Sequence, residues 1–253
     1  MPRHPDWLVP DWPAPAGVQA LCTTRAGGVS GDPYHSLNLG DHVGDDVARV
    51  AANRERLRDS MAAHPVFLRQ VHGTGVVNID EDTPDGVEAD GCVSASPAVA
   101  CTIMVADCLP VLFASDDGAV VGAAHAGWRG LADGVLEAVA AGIADATGLP
   151  ASRVLAWLGP CIGPGAFEVG PEVKAAFEAH DGQASRRFGK HAGGKWLADL
   201  PGLARDRLGT LGITGIYGND GSTAWCTVSN PSRFFSHRRD RISGRFAACI
   251  WRS

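Results

Sequence analysis

The 253-residue sequence lacks an excess of basic residues, a long apolar segment and an N-terminal apolar core. It has 22 Lys and Arg against 28 Asp and Glu, for a formal net charge of -6, so it offers no overall positive field to nucleic acid or anionic lipid. No stretch approaches the roughly 18 apolar residues of a membrane helix. Prolines and acids interrupt the first residues, unlike those of a signal peptide. We therefore expect a cytoplasmic protein with no nucleic-acid or membrane partner.

Close pairs of metal-binding residues are also missing. The seven cysteines form no CxxC pair, and none of the nine histidines lies two residues from another. The first absence argues against a zinc finger or a disulfide framework. The second argues against a multicopper oxidase, which assembles its trinuclear cluster from repeated HxH pairs.

What the sequence does contain is enough apolar residues, 45% of the total, for a sizeable core. Short apolar segments bounded by Gly, Asp and Pro predict strands at 18–24, 100–106, 119–126, 153–159, 214–218 and 245–251. Apolar residues spaced by three and four predict helices at 46–61, 130–148, 170–180 and 197–212. We therefore expect a single α+β domain over residues 1–253, with mixed β-sheets flanked by helices. The polar, Gly-rich residues 180–195 predict an exposed, mobile loop.

Three segments each place a strong metal ligand beside glycine or at the end of an apolar strand. They are QVHG (70–73), ADCLP (106–110) and AHAGWRG (124–130), which contain His72, Cys108 and His125. The intervals, 108 - 72 = 36 and 125 - 108 = 17 residues, match no structural zinc motif. Three ligands on separate strand ends would leave one position open for water or substrate, as in catalytic zinc sites. With a thiolate and two neutral imidazoles, a bound Zn²⁺ would keep a net charge near +1 and activate water.

Further distinctive segments lie on either side of these three. The series runs in order through TTRAGGVS (23–30), YHSLNLG (34–40), QVHG, EADG (88–91), ADCLPVLF (106–113) and AHAGWRGL (124–131). It continues through LGPCIGPGAFEVG (158–170), ADL (198–200), CT (226–227) and FFSHRRDRISGR (234–245). In these segments, which cover nearly the whole chain, the sequence resembles the YfiH or laccase-domain family, also called multicopper polyphenol oxidases or peptidoglycan editing factors.

The resemblance implies a metal, zinc or alternatively copper, held by His72, Cys108 and His125. It also implies phosphorolysis of adenosine, inosine and methylthioadenosine, together with adenosine deaminase activity, so that the partners are a nucleoside and phosphate. The implied fold is a layered α and β architecture similar to bacterial toxin cysteine hydrolases.

Phosphorolysis requires a phosphate site, for which the bidentate arginine fork is suited. Candidates are Arg25, Arg129, Arg238 and Arg239, of which Arg25 and Arg238 lie in segments that match the family. Asn38 is a candidate for orienting a ribose hydroxyl or a base edge, with a turn-forming role as the alternative.

Other candidates lie near the three predicted ligands. Asp107 is interpreted as a proton-transfer group or as a partner for a ligating histidine, and Asp90 as a weaker candidate for the same roles. Cys161, in the GPCIGPG turn, could present its thiol to the pocket or be buried. Trp128 and Phe235 could stack on a purine or belong to the core. The candidate His237 departs from the family, in which many members have Tyr at this position.

Three alternative functions remain open. In a Cys-His hydrolase acting on peptidoglycan precursors, Cys108 would be the nucleophile and His125 the base, without a metal. A single copper in the same site could support weak polyphenol oxidation. A protein that binds nucleoside without turnover is a third alternative.

Overall fold

The chain, in a computed structural model that describes residues 3–253, forms thirteen strands and six α-helices over that range. The strands are β1 Val18–Cys22, β2 His64–Phe67, β3 Val76–Asn78, β4 Gly91–Ser94, β5 Val99–Val105, β6 Leu109–Ser115, β7 Val121–Ala126, β8 Val154–Leu158, β9 Glu168–Val169, β10 Phe188–Lys190, β11 Trp196–Ala198, β12 Gly215–Gly218 and β13 Phe246–Arg252. The helices are α1 Val47–Asp59, α2 Trp128–Asp133, α3 Val135–Thr147, α4 Pro171–Glu178, α5 Leu200–Thr210 and α6 His237–Asp240.

The strands form two large mixed sheets and one small sheet. The six-stranded sheet has the order β12-β8-β6-β7-β4-β3, and its two edge pairs, β12-β8 and β4-β3, are parallel. The four-stranded sheet has the order β1-β13-β5-β2, in which only β2 and β5 run parallel. The antiparallel sheet β10-β11-β9 is separate. This architecture confirms the predicted α+β fold with mixed sheets.

The two large sheets pack face to face, with helices on the outer side of the six-stranded sheet. Strands β5, β6 and β7 are buried at every residue, because both of their faces are covered. Side chains alternate along β7: Val121 and Ala123 join the core between the sheets, whereas Ala124 and Ala126 join the core beneath α3. His125 therefore points towards the space between the sheets.

Helix α3 packs closely on the six-stranded sheet because that sheet presents glycines beneath it. A Cβ atom on Gly91 or Gly122 would lie 2.5 or 2.9 Å from a methyl carbon of Val139. This close approach fixes the position of β7, the strand that carries His125.

The helix predicted at 130–148 is divided in two. Gly134, with φ 105° and ψ 31°, ends α2 and begins α3. The left-handed conformation costs glycine little, so the apolar spacing continues through a break in the backbone helix.

Residues 180–195 are more regular than predicted. They contain a 3₁₀ turn at Gly182–Arg187 and strand β10, which pairs with β11. None of them lines the cavity described below. Among residues 3–253, no helix has the length and apolar character needed to cross a membrane.

Candidate metal centre

The three predicted ligands converge at one end of the space between the sheets. His72 follows β2, Cys108 lies in the turn from β5 to β6, and His125 is the penultimate residue of β7. Their ligand atoms all lie within 4.8 Å of one another, and Cys108 Sγ is 3.8 Å from His72 Nε2. Tetrahedral zinc, with Zn–S of about 2.3 Å and Zn–N of about 2.0 Å, would place sulfur and nitrogen about 3.5 Å apart. The donor set and its spacing therefore fit a single zinc or similar ion.

Asp90 orients His125 by contacting the imidazole nitrogen that does not face the other ligands. His125 is 3% exposed and its Nδ1 lies 2.8 Å from Asp90 Oδ1, while the Asp90 side chain is fully buried. With Nδ1 directed to a carboxylate, Nε2 is the nitrogen left to face Cys108. This is the carboxylate–histidine arrangement that fixes the tautomer of metal-binding histidines.

The same carboxylate holds the segment that carries His72. Asp90 accepts hydrogen bonds from the backbone N–H groups of Val71, His72 and Gly73, at 3.1, 2.9 and 2.7 Å. Burial alone would raise the pKa of Asp90, but the hydrogen bonds from His125 and from this segment outweigh it and lower the pKa. One buried side chain therefore positions two of the three ligands.

The metal-free site favours a thiolate beside a charged imidazole. Burial would raise the pKa of Cys108, but the charge of His125 and hydrogen bonds from His125 and His72 lower it to about 6. Burial would lower the pKa of His125, but the Cys108 thiolate and the hydrogen bond to Asp90 raise it to about 9. A thiolate is the form of cysteine that binds metal.

The backbone around the ligands adopts conformations that most residues avoid. His72 and Asp107 have φ values of 64° and 92°, and such values cluster at functional sites when the surrounding structure enforces them. A Cβ atom on Gly127 would lie 2.8 Å from His72 Cδ2 and 3.2 Å from Cys108 Sγ. Gly127, the first glycine of the AHAGWRG segment, therefore leaves room for the ligands.

The ligands open onto a cavity of about 810 Å³. Its other lining residues include Phe67, Gln70, Asp107, Trp128, Phe167, His237, Arg238, Arg241 and Arg245. Along the ligand set the exposure increases from buried His125 through half-buried Cys108 to exposed His72. A molecule in the cavity can therefore reach the site from one side.

The structure brings some of the other predicted residues to this cavity. Asp107 lines it, but its two carboxylate oxygens accept hydrogen bonds from the Thr227 hydroxyl and the Arg238 backbone N–H, both at 2.6 Å. No hydrogen bond joins Asp107 to a ligating histidine among the described residues, so that role belongs to Asp90. The Arg238 guanidinium donates to the Glu168 carbonyl at 3.0 Å.

Other predicted residues lie away from the cavity. Arg25 donates to the carbonyls of His35 and Pro231, both at 2.8 Å, and its guanidinium lies over the Phe235 ring. Phe235 itself is fully buried in the core, and Arg129 is exposed beside Trp128. None of these three residues lines the cavity.

Asn38 and Cys161 are fully buried. The Asn38 amide bonds the backbone of Gly40 and the N–H of Arg245, which is the turn-forming role. Cys161 accepts a hydrogen bond from Asn219, and burial raises the pKa of its thiol well above the usual value. Asn38 and Cys161 therefore adopt the predicted alternatives, a turn-forming asparagine and a buried cysteine, and neither lines the cavity. Arg239 is likewise engaged, with the carbonyls of Thr227 and Phe234.

Residues 19–253 match the family described as multi-copper polyphenol oxidoreductase laccase. The chain belongs to this family. Members named purine nucleoside phosphorylase include a Pseudomonas aeruginosa protein that is 51% identical over 97% of this chain and 98% of its own length. Another is Escherichia coli YfiH, 48% identical over 96% of this chain and 98% of its own length.

Solved structures share the fold. A Neisseria meningitidis protein, 46% identical, has a TM-score of 0.92 over 98% of this chain and 99% of its own. YlmD from Geobacillus stearothermophilus, 31% identical, has a TM-score of 0.90 over 100% of this chain and 98% of its own. The laccase-domain family and its mixed α and β fold, predicted from the sequence motifs, are thereby confirmed.

Proposed function

We propose that the protein is a zinc-dependent purine nucleoside phosphorylase that acts on adenosine, inosine and methylthioadenosine and also deaminates adenosine. The observation that carries the proposal is the convergence of His72, Cys108 and His125 at a cavity lined with arginines. The relatives named purine nucleoside phosphorylase, which match over almost the whole chain, support the same activity.

The chemistry divides between the metal site and the cavity wall. His72, Cys108 and His125 would hold the ion, which when bound supplies a Lewis acid and can activate water. Asp90 keeps His125 in the binding tautomer. The cavity of about 810 Å³ lies within the range of about 300–1,000 Å³ typical of small-molecule sites. The half-buried Trp128 offers an aromatic surface to a base.

Phosphorolysis forms a bond between a phosphate oxygen and the ribose C1′ as the bond to the purine nitrogen breaks, and the departing base takes a proton. We assign to Asp107, which lies beside Cys108 on the cavity wall, the relay of this proton from the attacking phosphate to the departing purine nitrogen. Its orientation is fixed by the Thr227 hydroxyl and the Arg238 N–H. His237, exposed at the start of α6, also lines the cavity.

The direct test measures phosphate-dependent release of hypoxanthine from inosine by zinc-loaded protein. We expect Cys108→Ala and His72→Ala to abolish release. His180→Ala, which replaces an exposed histidine outside the cavity, should leave base release unchanged. Absence of base release by the loaded wild type, with or without phosphate, would overturn the proposal. Conversion of adenosine to inosine without phosphate tests the deaminase activity separately.

A Cys-His hydrolase is the second candidate, because Asp90 bonds His125 and the ligand atoms of His125 and Cys108 lie within 4.8 Å, which fits an orienting acid, a base and a nucleophile. About one zinc per chain in protein purified without added metal supports the phosphorylase. Metal-free protein that is active and loses activity when Cys108 is alkylated supports the hydrolase. A multicopper oxidase is disfavoured, since residues 3–253 hold one cluster of three or more metal-binding side chains and a trinuclear centre needs more.

A further inference from the structure

The cavity carries positive charge although the whole chain is acidic. Its charged lining consists of two aspartates, Asp41 and Asp107, and five arginines, namely Arg54, Arg69, Arg238, Arg241 and Arg245. In a chain of net charge -6, such local concentration of arginine indicates an anionic ligand. The question is which guanidinium remains available to bind it.

Three of the five arginines are already engaged. Arg54 forms ion pairs with Asp41 and Asp85, and Arg69 forms one with Glu88. The Arg238 guanidinium donates to a backbone carbonyl and lies over the Phe167 ring. Arg241, at the exposed rim, and Arg245, deeper in the wall, remain.

Arg245 is half-buried and forms no ion pair with any carboxylate of the described chain. Its side chain donates through Nη1 alone, to the carbonyls of Ser243 and Gly244 at 2.9 and 3.1 Å. Nε and Nη2 therefore retain donors without a protein acceptor. A guanidinium taken from water without a counter-charge is costly unless a ligand supplies one.

The surrounding backbone holds Arg245 in place. Its N–H donates to Asn38 Oδ1 at 2.9 Å, and its carbonyl accepts from the Leu39 N–H at 3.0 Å. A Cβ atom on Gly40 would lie 2.7 Å from Arg245 Cγ, so this glycine leaves room for the arginine stem. The buried Asn38 thus acts on the cavity through Arg245.

The nearest negative groups are committed elsewhere. Burial lowers the pKa of Arg245, and the charges of Cys108 and Asp107 act in the opposite direction. Cys108 belongs to the ligand set, and both oxygens of Asp107 accept hydrogen bonds from other groups. Arg245 therefore lies close to the metal site with its own donors free.

We propose that Arg245 is the anion-binding residue of the cavity and holds inorganic phosphate, with Arg241 as a second cation at the rim. The identity of the anion as phosphate rests on the proposed phosphorylase function. A guanidinium binds two phosphate oxygens through parallel N–H groups, and half-burial strengthens these charged hydrogen bonds. The predicted candidate Arg25 lacks this availability, since backbone carbonyls occupy it outside the cavity.

The test compares Arg245→Gln and Arg245→Lys with Arg25→Gln, all zinc-loaded. Binding of inorganic phosphate is measured by isothermal titration calorimetry, so this part does not depend on turnover. We expect Arg245→Gln to weaken binding at least about tenfold, as for the loss of a charged hydrogen bond. Arg245→Lys should recover part of the loss, because it keeps the charge and the stem beside Gly40. Arg25→Gln and the surface control Arg153→Gln should bind like the wild type.

Steady-state kinetics give an independent readout. We expect Arg245→Gln to raise KM for phosphate at least about tenfold while KM for inosine stays within about twofold. If the wild type binds phosphate through Arg245 but cleaves no nucleoside, the anion site stands and the phosphorylase function fails. The anion site is overturned if wild type binds no phosphate, or if folded Arg245→Gln, checked by circular dichroism, binds it unchanged.

Discussion

Replacing Asp90 with Asn tests the group on which two metal ligands depend. The fully buried carboxylate accepts four hydrogen bonds: His125 and the His72 N–H on Oδ1, and the Val71 and Gly73 N–H groups on Oδ2. An asparagine keeps one oxygen. With that oxygen towards His125, the N–H groups of Val71 and Gly73 both face the NH₂ group; in the other orientation only the His72 N–H is left unsatisfied, because the imidazole becomes an acceptor. Each buried donor left unsatisfied costs about 1–3 kcal/mol, or about 2–6 kcal/mol for two.

The orientation of the amide decides how the metal site fails. With the oxygen towards His125, the segment that carries His72 loses two anchors. With the NH₂ group towards His125, the imidazole accepts at Nδ1 and carries its proton on Nε2, the atom needed for the metal. We expect zinc affinity to fall by about 10–100-fold, as for other partners of ligating histidines.

Asp107→Asn is the matched control, because it makes the same change beside Cys108. Thr227 can rotate its hydroxyl to accept from the new NH₂ group, and the remaining oxygen can still accept from the Arg238 N–H. We expect a change in zinc affinity of less than about threefold. Competition with a chromophoric chelator measures both variants, and urea unfolding measures their stability. Equal zinc affinities for the two variants would refute the assignment of the orienting role to Asp90.

Three further predictions concern the site and the fold. Gly127→Ala should weaken zinc binding at least about tenfold, because the new methyl group displaces the His72 ring; chelator competition measures it, and wild-type affinity would contradict the crowding. In metal-free protein, iodoacetamide should alkylate Cys108 with a midpoint near pH 6, since the thiolate forms as pH rises through the lowered pKa of about 6; a midpoint near pH 9 would show that His125 does not stabilise the thiolate. Gly134→Ala should lower the free energy of unfolding by about 1–2 kcal/mol, because its φ of 105° is strained for alanine. Gly209→Ala, in α5 with open space around it, should raise the free energy of unfolding by about 0.5–1 kcal/mol. Urea titration measures both variants. If both changed the free energy of unfolding in the same direction, the backbone angle of Gly134 would not explain its effect.

Much of the secondary structure follows from local pattern. Helix α1 begins after Asp46, whose side chain accepts from the Arg49 N–H, within the segment predicted from apolar spacing. The division of the second predicted helix at Gly134 was missed because apolar spacing reports side chains, not the backbone angle of a glycine. Strands β2, β3 and β4 are three or four residues long and give too little pattern to be predicted.

The site was predictable where its residues lie in distinctive segments. Convergence of the three ligands could be expected from glycine-bordered motifs and from family resemblance. Asp107 was preferred over Asp90 because it adjoins Cys108 in sequence, whereas the antiparallel pairing of β4 with β7 brings Asp90 next to His125 in space. Arg245 was overlooked for the same reason: only the fold shows which of the arginines lacks a protein partner.

The three ligands come from segments of both large sheets, so a bound ion would also connect the two sheets. His72 and Cys108 follow strands of the four-stranded sheet, whereas His125 belongs to the six-stranded sheet. An ion held by all three would tie the His72 segment to β7 at the end of the sandwich where the turn from β5 to β6 connects the two sheets. At a free-ion concentration of 100 times Kd, this linkage would add about 2.7 kcal/mol to the stability of the folded chain. Loss of the ion would then remove this link between the two sheets, so we expect proteases to cleave the metal-free protein first at the 70–73 and 106–108 connections.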